Sequence, residues 1–160
     1  MRDFEKISFE EFKKDICDDK ELYDSYELPY RSSSYTAGYD FVLINDVNMK
    51  PGEIVKIPTG IKAKFEMDEV LFLIVRSGTG FKYNIRLVNQ VGVIDADYYN
   101  NPDNEGHIWI KLHNQGTEAY IVNKGDKICQ GIFTKFLTVD NEEKPDKIRE
   151  SGFGSTNKEE

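Results

Sequence analysis

The sequence predicts an all-β sandwich or barrel that follows a short N-terminal helix and precedes an extended C-terminal arm. Three observations predict this class. Short apolar runs rich in Val, Ile, Phe and Tyr recur about every ten residues between residues 40 and 136. Turn residues separate the runs, and no helical pattern falls between them. The 160 residues, 39% apolar and 31% charged, are typical of one globular domain, which we assign to residues 1–160.

The N-terminal helix is predicted over residues 8–17. Ser8 is a typical N-cap residue, and Glu11 three residues later completes a capping box. Phe12 and Ile16 then share one helical face, which must pack against the body of the chain.

The strand-rich body is predicted over residues 28–137. Its strands are the runs DFVLIND, GEIVKIP, IKAKFEM, VLFLIVR, HIWIKLHN, EAYIVN and ICQGIFTKF. In HIWIKLHN, the apolar residues Ile108, Ile110 and Leu112 alternate with other residues, which indicates a strand buried on one face. Residues 138–160 form the predicted arm, whose Gly/Ser-rich end is expected to be flexible when nothing is bound.

Composition and charge exclude several function classes. A formal net charge of −8 argues against general binding of nucleic acid, which needs a basic face. It still allows a small phosphorylated ligand held by a few arginines. No apolar run approaches the length of a membrane span. The charged N-terminus lacks the apolar segment of a secretory signal, so we expect a cytoplasmic protein.

Neither the cysteines nor the histidines form a metal-binding pattern. Cys17 and Cys129 lie far apart without a C-x-x-C spacing, and we interpret them as reduced thiols packed as small hydrophobic residues. His107 and His113 fall on one predicted strand, where surface or hydrogen-bonded histidines are more common than metal ligands.

Five stretches carry polar residues that a β-body does not need. In TAGYDF, Asp40 stands at the head of a strand, where acids are disfavoured, although a turn before the strand would also explain it. In VRSGTG, Arg76 and Ser77 can donate hydrogen bonds to a phosphate, and Gly78 lets backbone N–H groups approach it. An Arg-Ser-Gly turn alone is equally consistent with any β-protein.

The third and fourth stretches are NQVGVIDADYY and GDKICQGIF. Asp95 and Asp97 alternate in an apolar setting, so they should point to opposite faces and only one should share a given pocket. An aspartate at a pocket rim can hold and deprotonate a water, and Tyr98 offers a flat face for a sugar or base. A strand end with solvated acids is the alternative. Gln130 lies inside an apolar strand and needs a partner, either structural or a ligand.

The fifth stretch, RESGFGSTNK, lies near the C-terminus. The Arg149 guanidinium can form bidentate hydrogen bonds with phosphate oxygens, and Phe153 can stack on a base. The backbone of Gly154 and the hydroxyl groups of Ser155 and Thr156 can donate to anionic oxygens. A disordered chain end is the alternative.

Together and in this order, the five stretches resemble the five signature motifs of the trimeric dUTP pyrophosphatases (dUTPases), from about Leu28 to Thr156. The resemblance implies a jelly-roll-like β-barrel and a homotrimer with three active sites at subunit interfaces, each assembled from all three chains. It implies hydrolysis of dUTP to dUMP and pyrophosphate, which limits uracil in DNA and supplies dUMP for thymidylate synthesis. It also implies Mg2+, held by the triphosphate and water with no direct protein ligand.

The resemblance also implies a role for each motif residue that faces the reacting sugar and base. Asp95 would activate the water that attacks the α-phosphorus. Tyr98 would pack under the deoxyribose and exclude a 2′-hydroxyl group, so that UTP is rejected. Asn89 and Gly92, in the hairpin of the third motif, would read uracil.

The remaining motif residues would bind or support the phosphates. The residues implied in the body are Arg76, Ser77, Gly78 and Gln130, with Asp40 in support through the phosphate and metal-water network. Those implied in the arm are Arg149, Gly154, Ser155 and Thr156 at the phosphates and Phe153 on uracil. The arm would cross to a neighbouring subunit and close over the nucleotide.

The chain departs from the family pattern at a few positions. Ser151 and Asn157 replace glycines usual in the arm motif, and Val75 replaces a common proline. Residues 100–105, NNPDNE, lengthen the turn after Tyr99 and should form a protruding hairpin tip near the site. A tolerated loop extension and a contact for a protein partner are the two explanations.

Two alternatives to dUTP hydrolysis follow from the same resemblance. A dCTP deaminase shares the superfamily but carries a glutamate on the strand after the aspartate hairpin, where this chain has Lys111 and no acid. A regulatory binding protein switched by nucleotide would use the same body, and only the 100–105 extension points to it. The presence of Asp95, Tyr98 and the arm motif favours catalysis.

Overall fold

The structure is a computed structural model that describes residues 1–142 of the chain. Within these residues lie eleven strands, three short α-helices and one 3-10 helix over Ala96–Tyr98. The α-helices are α1 (Phe9–Asp15), α2 (Lys20–Ser25) and α3 (Ser77–Tyr83). The strands are β1 (Asp3–Lys6), β2 (Tyr39–Val42), β3 (Val47–Met49), β4 (Ile54–Pro58), β5 (Ile61–Lys64), β6 (Glu69–Val75), β7 (Ile85–Leu87), β8 (Gly92–Asp95), β9 (Trp109–Asn114), β10 (Tyr120–Val122) and β11 (Lys127–Lys135).

Antiparallel pairing joins these strands into sheets. The largest sheet has the strand order β2-β11-β6-β8, and a second has the order β4-β9-β7. The two-stranded sheets β1-β5 and β10-β3 complete the described pairing. The predicted all-β, jelly-roll-like class is confirmed, although the strands of residues 1–142 form separate sheets rather than one closed barrel.

The hydrophobic core draws on strands from both larger sheets. Leu71 and Leu73 of β6 and Ile110 and Leu112 of β9 are all buried, whereas Lys111 between the last two is exposed. The alternation predicted for β9 is therefore confirmed. Each large apolar side chain buried in this way stabilises the fold by about 1.5–3 kcal/mol.

Helix α1 begins where the capping box predicts. The Ser8 side chain accepts a hydrogen bond from the Glu11 N–H over 3.1 Å. Phe12 is fully buried and stacks on Tyr26, with ring centroids 5.6 Å apart. The helix ends at Asp15, two residues before the predicted end.

Helix α3 contradicts the prediction that no helix falls between the strands. Gly78 and Gly80 disfavour a helix by propensity, so the sequence pattern favoured a turn. The helix forms because its end is well capped. Asn84 adopts a left-handed conformation there, and its N–H donates to the carbonyls of Thr79 and Gly80.

The N-terminal segment contains two elements that the sequence did not predict. Strand β1 pairs with β5, and helix α2 begins at an Asp19 cap whose side chain accepts from the Leu22 N–H over 2.9 Å. Among residues 1–142, no helix is long and apolar enough to cross a membrane. The assignment of residues 1–160 to a single domain stays a prediction.

Candidate active site

The first polar cluster lies where β2, β11 and β6 run side by side. The register pairs Gln130 of β11 with Asp40 of β2, and Cys129 with Val75 at the end of β6. Arg76 follows Val75, and its Nε lies 3.0 Å from Asp40 Oδ1. The first, second and fourth sequence motifs therefore meet at one end of this sheet, and we name Asp40, Arg76 and Gln130 the phosphate-side cluster.

Asp40 is held by more groups than the sequence indicated. Its Oδ2 lies 3.2 Å from Lys127 Nζ and accepts from Ser32 Oγ over 2.5 Å. Burial alone would raise the pKa of Asp40, but the hydrogen bonds from Ser32 and Lys127 and the charge of Arg76 outweigh it and lower the pKa. Asp40 is thus a fixed carboxylate that orients Arg76, whose side chain remains 40% exposed.

Gln130 lies against the backbone of Gly38. A Cβ atom at position 38 would lie 2.4 Å from Gln130 Oε1, so only glycine leaves room for this amide. Ser77 and Gly78 follow Arg76 at the exposed start of α3. The structure therefore brings together all five body residues predicted on the phosphate side.

The second polar cluster lies at the opposite end of the same sheet. Asp95 ends β8 and pairs in register with Val70 of β6. It lines a cavity of about 280 Å3 together with Asp97 and Glu69, and Met67, Ala96 and Phe136 complete the lining. The prediction that Asp95 and Asp97 point to different pockets is wrong, because the strand ends at Asp95 and the 3-10 helix turns Asp97 toward the same cavity.

Asn89 and Gly92 line a separate cavity of about 400 Å3. Gly92 packs closely on β6, because a Cβ atom there would lie 3.0 Å from Leu73 Cβ. The other residues that line this cavity are Lys56, Leu73, Leu87, Val88, Trp109, Ile110 and Lys111. The Lys56 ammonium lies over the Trp109 ring, 4.0 Å from the ring centroid. The sequence pattern did not predict this contact.

Tyr98 lies just beyond Asp95 and is 5% exposed. Its Oη donates to the His107 carbonyl over 2.9 Å and accepts from Asn104 Nδ2 over 2.8 Å. Only a small part of the ring is therefore open to a ligand in the single chain. Its role under the sugar stays a prediction.

The two clusters are far apart within one chain. Arg76 lies six residues beyond Val70, the register partner of Asp95. A strand advances about 3.3 Å per residue, so the two ends of β6 are separated by about 20 Å. This span exceeds the reach of either side chain.

Comparisons with known proteins identify the family of this chain. The family model described as dUTPase matches residues 24–157. The chain belongs to the dUTPase family. It is 46% identical over 130 residues to the deoxyuridine 5′-triphosphate nucleotidohydrolase of Lactococcus lactis, covering 81% of this chain and 87% of the relative. The corresponding protein of Rickettsia akari is 36% identical over 138 residues, covering 82% of this chain and 89% of the relative.

Solved dUTPase structures share the fold of this chain. The crystal structure of the dUTPase from Streptococcus mutans has a TM-score of 0.70 and 37% sequence identity, and it covers 86% of this chain and 98% of its own. The dUTPase from phage phi11 of S. aureus has a TM-score of 0.66 at 20% identity, and it covers 91% of this chain and 98% of its own, which supports the fold alone. The sequence-based assignment to the dUTPase family, and to its enzymes, is confirmed.

The arm motif of the dUTPase family lies outside the described residues. The predictions for Arg149, Phe153, Gly154, Ser155 and Thr156, and the departures at Ser151 and Asn157, fall there and stay predictions.

Cys129, Cys17 and His107 are packed wholly or partly inside the protein. Cys129 is buried, and burial raises the pKa of its thiol to about 12, whereas Cys17 is half-buried. Both are free thiols. His107 is fully buried, and its Nδ1 lies 2.6 Å from Asp15 Oδ2. Among residues 1–142, no group of three or more His, Cys, Asp or Glu side chains could hold a metal ion.

Proposed function

We propose that the chain hydrolyses dUTP to dUMP and pyrophosphate with Mg2+, at active sites shared between the subunits of a homotrimer. Membership of the dUTPase family supports the reaction, and curated relatives carry the name deoxyuridine 5′-triphosphate nucleotidohydrolase. The separation of Asp95 from Arg76 carries the proposal of shared sites. One chain holds the backbones of these residues about 20 Å apart, and this separation favours a dUTP molecule that takes them from different chains.

Asp95 would act as the general base in this reaction. Its carboxylate orients a water and takes a proton from it as the water oxygen attacks the α-phosphorus. The bond from the α-phosphorus to the bridging oxygen breaks, and pyrophosphate leaves with the bonding electrons. The cavity that holds Asp95 also holds Glu69, but Arg2 covers Glu69 with contacts of 2.9 Å to both carboxylate oxygens. Asp95 is therefore the better candidate for the base.

The base would be selected at the cavity that Asn89 and Gly92 line, and the sugar at Tyr98. Asn89 and Gly92 line about 400 Å3, which is enough for a pyrimidine ring. Tyr98 would pack under the deoxyribose and exclude a 2′-hydroxyl group. Its buried hydroxyl and its two hydrogen bonds support a ring that stays in place.

The phosphate-side cluster would bind the triphosphate from a second chain. Arg76 is fixed by Asp40 through its Nε and still has part of its guanidinium exposed for phosphate oxygens. Ser77, Gly78 and Gln130 would donate further hydrogen bonds. From the arm, Arg149, Gly154, Ser155 and Thr156 would add phosphate contacts, and Phe153 would stack on uracil.

Mg2+ would be held by the triphosphate and by water. The donor set fits this arrangement, because both oxygens of Asp40 are already paired with side chains and can reach the ion only through water. When bound, the ion neutralises charge on the triphosphate and on the leaving pyrophosphate. We further propose that the enzyme acts in the cytoplasm, where it would limit dUTP and supply dUMP.

The reaction is tested by pyrophosphate release from dUTP, UTP, dCTP and dTTP in parallel with Mg2+. Release from dUTP alone is expected. Ammonia release from dCTP would favour the deaminase alternative, and no turnover of any nucleotide would favour a binding protein. In heavy-oxygen water, the label is expected in dUMP, because attack occurs at the α-phosphorus; label in pyrophosphate would contradict this position of attack.

Shared sites are tested by mixing two inactive variants, Asp95→Asn and Arg76→Ala. Each variant alone should lose most activity. After subunit exchange, an equal mixture should regain about one quarter of wild-type activity, since each site then draws its two residues independently from different chains of a symmetric oligomer. If both residues of a site came from one chain, the mixture would regain none.

A further inference from the structure

Residues 99–106, here named the Asn104 turn, are part of the folded body. Asn101 is only 5% exposed, and His107, which follows the turn, is fully buried. Tyr99 Oη donates to Glu5 Oε2 over 2.8 Å, which ties the turn to strand β1. The turn includes residues 100–105, whose sequence suggested a protruding tip.

Side-chain amides hold the Asn104 turn together from inside. Asn101 Oδ1 accepts from the N–H groups of Asp103 and Asn104, over 3.1 and 3.2 Å. Asn101 Nδ2 donates to Asn104 Oδ1 over 2.8 Å, and the same oxygen accepts from the Gly106 N–H over 3.1 Å. Because its oxygen is held by two donors, the Asn104 side chain has a fixed orientation.

The nitrogen of the Asn104 amide is directed at Tyr98. Asn104 Nδ2 donates to Tyr98 Oη over 2.8 Å, and Tyr98 Oη donates to the His107 carbonyl over 2.9 Å. Asn101 Nδ2 donates to the Tyr98 carbonyl over 2.9 Å. The turn therefore holds both the hydroxyl group and the backbone of Tyr98. A ring that is held in this way, in a close-packed interior, cannot move aside for a larger ligand.

Charged contacts anchor the other side of the Asn104 turn. Glu105 accepts from the Ser8 N–H over 2.9 Å and from Lys62 Nζ over 3.3 Å, and the Ser8 hydroxyl group also donates to it. Lys14 Nζ donates to the Asp103 carbonyl over 3.2 Å. Because α1 packs into the core, these contacts place the turn on a rigid support.

We infer that Asn104 is a positioning residue that sets the selectivity of the enzyme for a 2′-deoxy sugar. This inference rests on the proposed function, in which Tyr98 lies under the deoxyribose. A ring excludes an extra hydroxyl group by steric conflict only while it stays in place. Asn104 acts through Tyr98 Oη and does not touch the substrate.

The test compares kcat/KM for dUTP with kcat/KM for UTP in four chains: wild type, Asn104→Ala, Tyr98→Phe and the double variant. Tyr98→Phe keeps the ring and removes the hydroxyl group that the turn holds. Each single variant is expected to lower the dUTP/UTP ratio about fivefold to tenfold, the equivalent of one hydrogen bond. The double variant should match Tyr98→Phe, because Asn104 then has no hydroxyl group to hold.

Asp103→Asn is the matched control. Asp103 lies in the same turn and is exposed, and the turn uses its backbone groups. This variant should keep the wild-type ratio. Thermal unfolding of every variant separates selectivity from stability, because a purely structural role would lower Tm without changing the ratio.

Three outcomes decide the inference. A lowered ratio in both single variants with no further loss in the double variant supports it. An unchanged ratio in Asn104→Ala, or full additivity in the double variant, overturns it while leaving dUTP hydrolysis in place. A wild-type chain that fails to prefer dUTP over UTP overturns the proposed role of Tyr98 and the inference together.

Discussion

Asp40 is a buried carboxylate whose two oxygens contact Arg76, Lys127 and Ser32. Burying a charge is unfavourable unless charged and polar partners compensate it. Here Lys127 begins β11, Arg76 follows β6, and Ser32 lies in the segment before β2. The contact between Lys127 and Ser32 spans 95 residues of sequence. The motif pattern identified Asp40, Arg76 and Gln130, but it gave no signal for partners that only the fold brings near.

Asp40→Asn is expected to lower the free energy of unfolding by about 2 kcal/mol at pH 7, because the charges of Arg76 and Lys127 lose their partner. The pKa of Asp40 is lowered in the folded state, so its contribution is present above the usual value of 3.8 and is lost as the pH falls through the folded pKa. Urea unfolding at fixed protein concentration, at pH 7 and near pH 3, measures the difference.

Asp68→Asn is the matched control for Asp40→Asn. Asp68 pairs with Lys135 on the surface, where both side chains are more than half exposed. This substitution should lower the free energy of unfolding by less than about 0.5 kcal/mol. Equal losses in the two variants, or a loss in Asp40→Asn that does not become smaller as the pH falls from 7 to 3, would contradict the role assigned to the Asp40 charge.

Gly38→Ala is expected to displace the Gln130 amide, because the new methyl group would lie 2.4 Å from Gln130 Oε1. The end of a flexible side chain can move, so Tm should change by only a few degrees. If Gln130 holds phosphate, kcat/KM for dUTP should fall about tenfold, the equivalent of one hydrogen bond. Steady-state kinetics should give the same loss for Gln130→Ala and no further loss for the double variant. Additive losses would mean that Gly38 acts independently of Gln130.

Strand β11 is the element that organises the phosphate side. It lies between β2 and β6 and places the fourth motif beside the first and second. The sequence predicted this strand from its apolar run, and the structure buries Ile128, Cys129 and Gly131 of that run. It did not predict strand β1, Asp-Phe-Glu-Lys, because a four-residue edge strand with three charges has no clear alternation of apolar and polar residues.

His107 fixes α1 to the rest of the molecule. Its Nδ1–H donates to Asp15 Oδ2 over 2.6 Å, and its Nε2 accepts from the Gly60 N–H over 2.9 Å. This pair of bonds requires the neutral ring, with the proton on Nδ1. Burial lowers the pKa of His107, although the hydrogen bond and charge of Asp15 oppose the shift. Helix α1 is therefore held by a histidine, His107, that does not readily accept a proton.

Stability is expected to fall as the pH drops below about 6.5, because the unfolded His107 gains a proton that the folded one resists. One such group contributes a slope of up to about 1.4 kcal/mol per pH unit. His107→Gln should flatten the dependence of the unfolding free energy on pH between pH 7 and 5, as measured by urea unfolding. The same measurement on His113→Gln, at a half-buried position on β9, is the matched control. Equal pH dependence in wild type and His107→Gln would contradict the assignment.

At the scale of the whole molecule, Asp95 and Arg76, which are both proposed to contact one substrate, lie far apart in a single chain. Sequence motifs named Asp95 and Arg76 but carried no distance between them, and the resemblance alone implied that sites are shared. The register of β6 and β8 supports the proposal of shared sites, since the two residues lie at opposite ends of one sheet. Under this proposal, an active site forms only when several chains assemble.

A chain that ends at Glu142 is expected to remain folded and trimeric but to lose about a hundredfold or more in kcat/KM for dUTP. Among residues 1–142, the hydrophobic cluster already buries large side chains from Phe4 to Ile128 against one another, which supports a folded body. The arm motif from Arg149 to Thr156 is proposed to contact the nucleotide. Charge-assisted hydrogen bonds contribute about 1.5–3 kcal/mol each, so the loss of two accounts for this factor.

Thermal unfolding, light scattering and steady-state kinetics measure the three properties of this shortened chain. A chain that ends at Asn157 is the matched control, because it keeps the arm motif and should keep wild-type kcat/KM. Full activity in the chain that ends at Glu142 would contradict the roles proposed for Arg149, Ser155 and Thr156. Loss of the trimer would instead show that the arm contributes to assembly, because the described body would then fail to associate without it.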